Sequence, residues 1–293
     1  MSAHVGGVVL DPAQLGPGLV LGLLYWRRAR ALAGGERAVP CARQACFYGG
    51  LALVLATLAS PLAALAEELF WAHMAEHLLI AELGALGMAV GLTAPVLAPL
   101  LRVRELAWIR QLAHPVVAVV LWSANLVAWH VPAMQEAALR SDALHALQHM
   151  AFIGAGLNMW LALLGPLPKP AWFGNLARLV YVVGVRLIGA AVANAFVWAE
   201  VDLYDAYAPG RAEWAITAAT DQVVAGSIMM VEGSILTICL FAWVFLRSAR
   251  EGEERQALLD LAAERGFALS ERRAARAVAG GHGAALRRRI EEG

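Results

Sequence analysis

Seven apolar windows constrain this chain more than any other feature, at about residues 10–26, 44–66, 73–100, 114–131, 143–165, 176–199 and 214–246. Each approaches or exceeds the roughly 20 residues a helix needs to cross a hydrocarbon core about 30 Å thick. The predicted fold is therefore all-α: a polytopic membrane protein built as a bundle of seven transmembrane helices. Composition agrees, with 60% hydrophobic residues, only 16% charged ones and a mean hydropathy of +0.61, far from a soluble domain. The first window is the weakest. Asp11, Gln14 and Pro17 interrupt it, so a half-inserted segment is the alternative there. No Lys or Arg precedes this run and a basic cluster follows it, the wrong order for a cleaved leader.

The cations predict orientation, because cytoplasmic loops retain Lys and Arg. One set of loops carries Arg27, Arg28, Arg30, Arg37 and Arg43, then Arg102, Arg104 and Arg110, then Lys169 and Arg178, and ten arginines follow Leu246. The other set carries only Arg140 and Arg211, while Arg186 falls inside the sixth window. Twenty of 23 cations thus lie on one side, which places the N-terminus outside and the C-terminus in the cytoplasm. The formal net charge of zero hides this asymmetry. The basic loops read as topology signals beside anionic lipid, and nothing in them calls for a nucleic acid partner.

No internal repeat divides the windows, so residues 1–247 read as one membrane domain and 248–293 as a cytoplasmic helical tail. In the tail, Ala257, Leu258, Leu261 and Ala262 fall near one helical face, and Ser270 is placed to cap a second short helix. Cys41, Cys46 and Cys239 are expected to be reduced thiols.

Five of the eight histidines share a level. His73 and His77 begin the third window, His130 ends the fourth, and His145 and His149 begin the fifth. Under the orientation above, all five face the outer side. Two of the groupings are i, i+4 pairs, which put both rings on one helix face. That spacing suits a metal bridged by neutral imidazoles, the commonest nitrogen donors for copper, zinc and iron. A lone interfacial histidine more often hydrogen-bonds between helices or meets water; five at one depth need a shared reason, because ionisable groups in a membrane are costly. Met74, Met134 and Met150 flank the histidines. Thioether sulfur favours Cu(I), although methionine also fills apolar gaps. Glu76 and Glu82 follow the first pair and are candidates to orient an imidazole through hydrogen bonds. Arg186 and Glu232 both fall near mid-membrane and are candidate partners in a structural ion pair.

The segments "HMAEHLL", "WHVPAMQEAALRSDALHALQHMAFIGAGLNMW", "VDLYDAY" and "DQVVAGSIMM", in that order, resemble the motifs of the CtaG-type cytochrome c oxidase assembly proteins, seven-span bacterial membrane proteins. The resemblance covers roughly residues 10–247. It maps His73, Met74 and His77 onto the first motif, Trp129, His130 and Pro132 onto a Trp-His-x-Pro element, and His145 and His149 onto the second pair. Tyr204 and Tyr207 match an aromatic pair, and Asp221, Gln222, Gly226 and Met229 a last-span motif. The resemblance thereby adds Asp221 and Met229 to the candidate metal ligands and Gln222 to the residues that would support them. The chain departs from the pattern in having Glu76 where a Gln is usual and Gln148 where a Glu is usual. The third window lacks the expected proline pair, and Met230 and Glu232 replace a Trp-x-Pro.

The resemblance implies a protein of the bacterial inner membrane that assists oxidase assembly. Its partners would be oxidase subunits or copper carrier proteins, within the lipid bilayer. Together with the donor set it points to a non-enzymatic factor that holds copper through outward-facing His and Met. Three alternatives stay open: a bis-histidine haem protein, a metal-dependent membrane hydrolase using Asp221 and Glu76, and a metal-free scaffold. No nucleophile or substrate pocket is identifiable for the hydrolase.

Overall fold

The computed structural model describes residues 11–103, 109–112 and 114–292. Arg104 of the basic loop and His4 lie outside the described residues, as does the side chain of Arg110. Most of the described residues are helical, with no strand among them. In chain order the helices are α1 (Pro12–Leu32), α2 (Cys41–Leu58), α3 (Pro61–Glu68), α4 (Phe70–His77), a π-helical turn (Leu78–Gly84), α5 (Ala85–Gly91), α6 (Ala94–Arg102) and α7 (Ile109–Leu112). There follow α8 (Pro115–His130), α9 (Pro132–Leu139), α10 (Asp142–Leu164), α11 (Asn175–Val197), α12 (Ala208–Glu213), α13 (Ala218–Glu264), α14 (Glu271–Ala279) and α15 (Gly283–Glu292).

Among the described residues, five spans are long and apolar enough to cross a membrane: Cys41–Leu58, Phe70–Gly91, Asp142–Leu164, Asn175–Val197 and Ala218–Glu264. The pair α8 and α9, bent by 73°, makes a sixth if it is one broken span. The helix in the first window, α1, has the length but is not among the apolar ones; Gln14 and the arginines at its end dilute it. Two windows are divided where sequence reading ran them together. The second stops at Leu58, because Ser60 accepts from the Leu62 amide and starts α3 with Pro61. The third stops at Gly91, because α6 begins anew with Pro95 in its first turn, where a missing N–H costs nothing.

The chain divides into two compact units, Met1–Ile235 and Leu236–Gly293. In the first, α2 lies directly on the π turn and α5. A Cβ on Gly50 would sit 2.4 Å from the Gly84 carbonyl oxygen and 2.6 Å from the Met88 nitrogen. Only glycine permits that approach, the small-residue packing by which helices associate in lipid. In the second unit Leu258, Ala262, Val278, Leu286 and Ile290 form a small core, and the Ser270 hydroxyl accepts from the Arg273 amide to start α14.

Candidate metal centre

The helix bearing the first histidine pair is started from elsewhere in the chain. Leu69 precedes α4 and offers no capping side chain. Its place is taken by Asp221 of α13, whose two oxygens accept from the Phe70 and Trp71 amides at 3.1 and 2.8 Å. A carboxylate at a helix N-terminus satisfies free N–H groups and complements the dipole. Gln222, the next residue, accepts from the Leu203 amide at 2.8 Å and donates to the Val201 carbonyl at 3.1 Å. It thus fastens the segment that carries Tyr204 and Tyr207. Asp221 and Gln222 hold the frame of the site; their polar atoms are engaged by backbone.

Inside that frame the two i, i+4 pairs face each other. Ring centroids of His73 and His77 on α4 are 4.2 Å apart, and those of His145 and His149 on α10 are 4.4 Å apart. Across the gap, His73 lies 5.6 Å from His145 and His77 lies 5.4 Å from His149. The four rings form a closed quadrilateral, none of these residues more than 7% exposed. Glu76, fully buried at 0%, joins them: its Oε2 is 3.4 Å from His149 Nε2. One ligand atom from each of His73, Glu76 and His145 lies within 4.8 Å of the others. Two atoms bound to one ion at about 2.1 Å each are at most about 4.2 Å apart, so small side-chain rotations suffice to close the set.

The hydrogen bonding of this cluster is incomplete. Both oxygens of Glu76, both ring nitrogens of His77, His73 Nδ1, His145 Nε2 and His149 Nε2 are buried without a hydrogen-bond partner. Buried polar atoms are ordinarily satisfied, and an orphaned group calls for a cause such as an ion. His149 makes the point locally. Its Nδ1 lies 3.1 Å from the Gln14 side-chain oxygen and its Nε2 3.4 Å from the Glu76 carboxylate, and a neutral ring has a single N–H to give. Such a ring can answer only one of the two oxygens, and its remaining lone pair then faces the other, an arrangement that a shared cation resolves.

Residues that sequence reading passed over complete the wall. Val131 and Pro132 break α8 from α9 and turn Gln135 into the cluster. Its amide nitrogen is 3.0 Å from His73 Nε2 and donates to the Tyr207 hydroxyl at 2.9 Å, while its oxygen accepts from Gln148 at 2.8 Å. Burial holds the Tyr207 phenol well above its usual range, against the lowering effect of the Gln135 bond. It meets the cluster as a neutral hydroxyl. The signal for Gln135 was a polar side chain just past the proline; Gln14 had counted only as an interruption of the first window.

His130 stands apart from the quadrilateral. Its Nδ1 is 2.7 Å from the Leu126 carbonyl oxygen, its Nε2 is 3.3 Å from Met74 Sδ, and the Tyr204 hydroxyl donates to the His130 backbone carbonyl at 2.8 Å. Met229 packs beside Phe70, Met74, Phe196, Tyr204 and Tyr207.

Deeper along the same helices lies a second ionisable group. Glu82 turns from the histidines to Arg186 of α11, which donates to both its oxygens at 3.1 and 2.9 Å. Glu232 of α13 is 3.8 Å from the same guanidinium, and the Trp160 ring lies 5.8 Å from its carbon.

The decisive comparison is with known families. Over residues 20–251 the chain matches the family described as cytochrome c oxidase caa3 assembly factor, Caa3_CtaG. This chain belongs to that family. The matched stretch contains the four clustered histidines, Glu76, Asp221, Gln222 and the Arg186 group, while Gln14 lies outside it. No match was found among curated proteins or among solved structures.

Proposed function

We propose that this oxidase assembly factor works by holding copper in the cluster of His73, His77, His145, His149 and Glu76 and giving it to an oxidase subunit or a copper carrier. One observation carries this reading: four imidazoles and a carboxylate converge in a buried space with most of their lone pairs unanswered. Imidazole suits copper, zinc, iron and nickel. Copper is favoured over the others because a caa3-type oxidase is a copper enzyme, as the resemblance implies, and because a thioether, that of Met74, meets the neighbouring His130. The rings pack on one another at 4.2 to 5.6 Å, which leaves no slot for a macrocycle and supports an ion over haem. In this proposal the cluster faces the outer side of a bacterial plasma membrane, as the Lys and Arg asymmetry supports, and the segment from 248 onward is a cytoplasmic tail.

Metal analysis of protein purified under reducing conditions tests the reading. Wild type is expected to carry copper, and replacing His73, His77, His145 and His149 together with Asn is expected to remove the ion held by the cluster. Copper stoichiometry unchanged by the fourfold replacement overturns it.

A further inference from the structure

We propose that His130 and Met74, with Met229 beside them, form a second metal site selective for Cu(I), separate from the histidine and Glu76 cluster. This rests on the reading that the protein handles copper, and adds to it a soft, charge-poor site with its own donors.

A backbone carbonyl fixes which nitrogen of the neutral His130 ring carries the proton. Its Nδ1 lies 2.7 Å from the Leu126 carbonyl oxygen, and a carbonyl can only accept. Nδ1 therefore carries the proton, and in the neutral ring Nε2 is a bare lone pair. At 3.3 Å in front of that lone pair is the sulfur of Met74, a thioether with no hydrogen to give. Two acceptors thus meet with no donor between them, in a pocket where Met74 is only 2% exposed. A cation between them makes the contact attractive. A proton on Nε2 is the competing answer, and it would leave a buried imidazolium; the flanking rings are Phe152 and Phe196, at 6.1 and 5.4 Å, and no carboxylate pairs with His130 among the described residues.

The spacing fits a shared ion. With a metal to nitrogen bond of about 2.0 Å and a metal to sulfur bond of about 2.3 Å, a tetrahedral angle puts N and S roughly 3.5 Å apart, close to the 3.3 Å found. The chemistry narrows the ion further. Thioether sulfur is a soft donor that selects Cu(I) over zinc and iron. The donors are neutral and the walls are Phe70, Phe196 and Tyr204, so a single positive charge is far cheaper to bury here than two. Met229 packs against the same cluster. By contrast the neighbouring cluster contains a carboxylate and nitrogen donors, which suit a divalent ion. Met74 follows His73 directly on α4, and adjacent helical residues point about 100° apart. One helix thereby presents two kinds of donor set.

The test is Cu(I) loading of the purified full chain under reductant, read by X-ray absorption and by competition with a Cu(I) chelator, beside Cu(II) loading read by its visible and electron paramagnetic spectra. Wild type is expected to show a sulfur shell around Cu(I). Met74→Leu is expected to remove that shell and weaken Cu(I) binding at least about tenfold, the lower end of what loss of even an outer-shell partner does, with Cu(II) loading unchanged. A wild-type Cu(I) spectrum without sulfur overturns the proposal, as does equal loss of Cu(I) and Cu(II) in Met74→Leu, which would mean one site. The fourfold histidine replacement separates the two ideas. Loss of Cu(II) with the Cu(I) sulfur shell intact supports both, whereas a sulfur shell in protein whose copper stoichiometry ignores that replacement overturns the cluster reading alone.

Discussion

Two groups of ionisable side chains lie within the helices of this protein, and only one of them brings its own counter-charge. Glu82, Arg186 and Glu232 hold a guanidinium between two carboxylates, with both Glu82 oxygens receiving hydrogen bonds. The histidine cluster holds four imidazoles and one carboxylate, and its ring nitrogens and Glu76 oxygens largely lack partners. The first arrangement is the more nearly closed: Arg186 answers both Glu82 oxygens, and the Glu232 oxygens, which accept no hydrogen bond, still have its guanidinium 3.8 Å away. The second is open, since each ring keeps at least one nitrogen, and Glu76 both oxygens, without a hydrogen-bond partner. Similar burial therefore has opposite meanings, structural at Arg186 and receptive at the histidines.

The largest effect that would sharpen this contrast is expected at Arg186. In Arg186→Met the two carboxylates lose their cation, and breaking a buried pair by removing one partner typically costs about 3–5 kcal/mol. Thermal unfolding in detergent should show the loss whether or not metal is present. A small change would mean that Glu82 and Glu232 simply take up protons and that the group is less essential than its geometry implies.

An intermediate effect is expected where the two histidine helices touch. A Cβ on Gly156 of α10 would sit 2.0 Å from the Ala81 carbonyl oxygen in the π turn. Gly156→Ala must push α10 from the π turn that continues α4, at about 1–3 kcal/mol for overpacking, and the displacement is expected to separate His145 and His149 from His73 and His77. Both the unfolding temperature and the copper content should fall. Gly154→Ala is the control, because nothing lies within 4 Å of its added carbon. A loss of stability with full copper content would show that the cluster does not depend on this contact.

These variants also mark where the sequence was legible. The apolar windows and the histidine pairs are local patterns, and helical periodicity reveals them: hydropathy finds the spans, and an i, i+4 spacing puts two rings on one face. The family resemblance, carried by ordered motifs, was likewise readable and is confirmed over residues 20–251. What a local pattern cannot supply is phase after a defect. In a continuous α-helix Glu82 would point about 140° from His77. The wider winding of the π turn, roughly 4.4 residues per turn, reduces that to about 50°, and it sets which interior groups Glu82 meets. Partners from distant helices are equally invisible. Nothing near Phe70 announces that its amide is capped by Asp221, 151 residues away, and only the bend after His130 reveals that Gln135 returns to the cluster. Asp221 entered as a candidate ligand because carboxylates are metal donors; in the fold its oxygens are committed to starting the helix on which the ligands stand.

The smallest expected change in stability belongs to His77→Leu, and it bears most directly on the contrast. Both ring nitrogens of His77 lack partners, and the ring lies 4.3 Å from Phe152, so an apolar side chain of similar size is at home there. Removing an unsatisfied polar group from a buried place is near neutral or stabilising, unlike removing one partner of a satisfied pair. Metal-free His77→Leu should therefore unfold within about 1 kcal/mol of wild type, a shift of about 2–4 °C at most, while copper content drops. Binding supplies the missing stability in wild type only when the ion is present, because a ligand that prefers the folded state raises its unfolding temperature by mass action. The gap between the two proteins should thus widen on adding copper and close on adding chelator. If metal-free His77→Leu lost as much as Arg186→Met, the imidazoles would be acting as core, and the distinction between a closed charge group and an open one would fail.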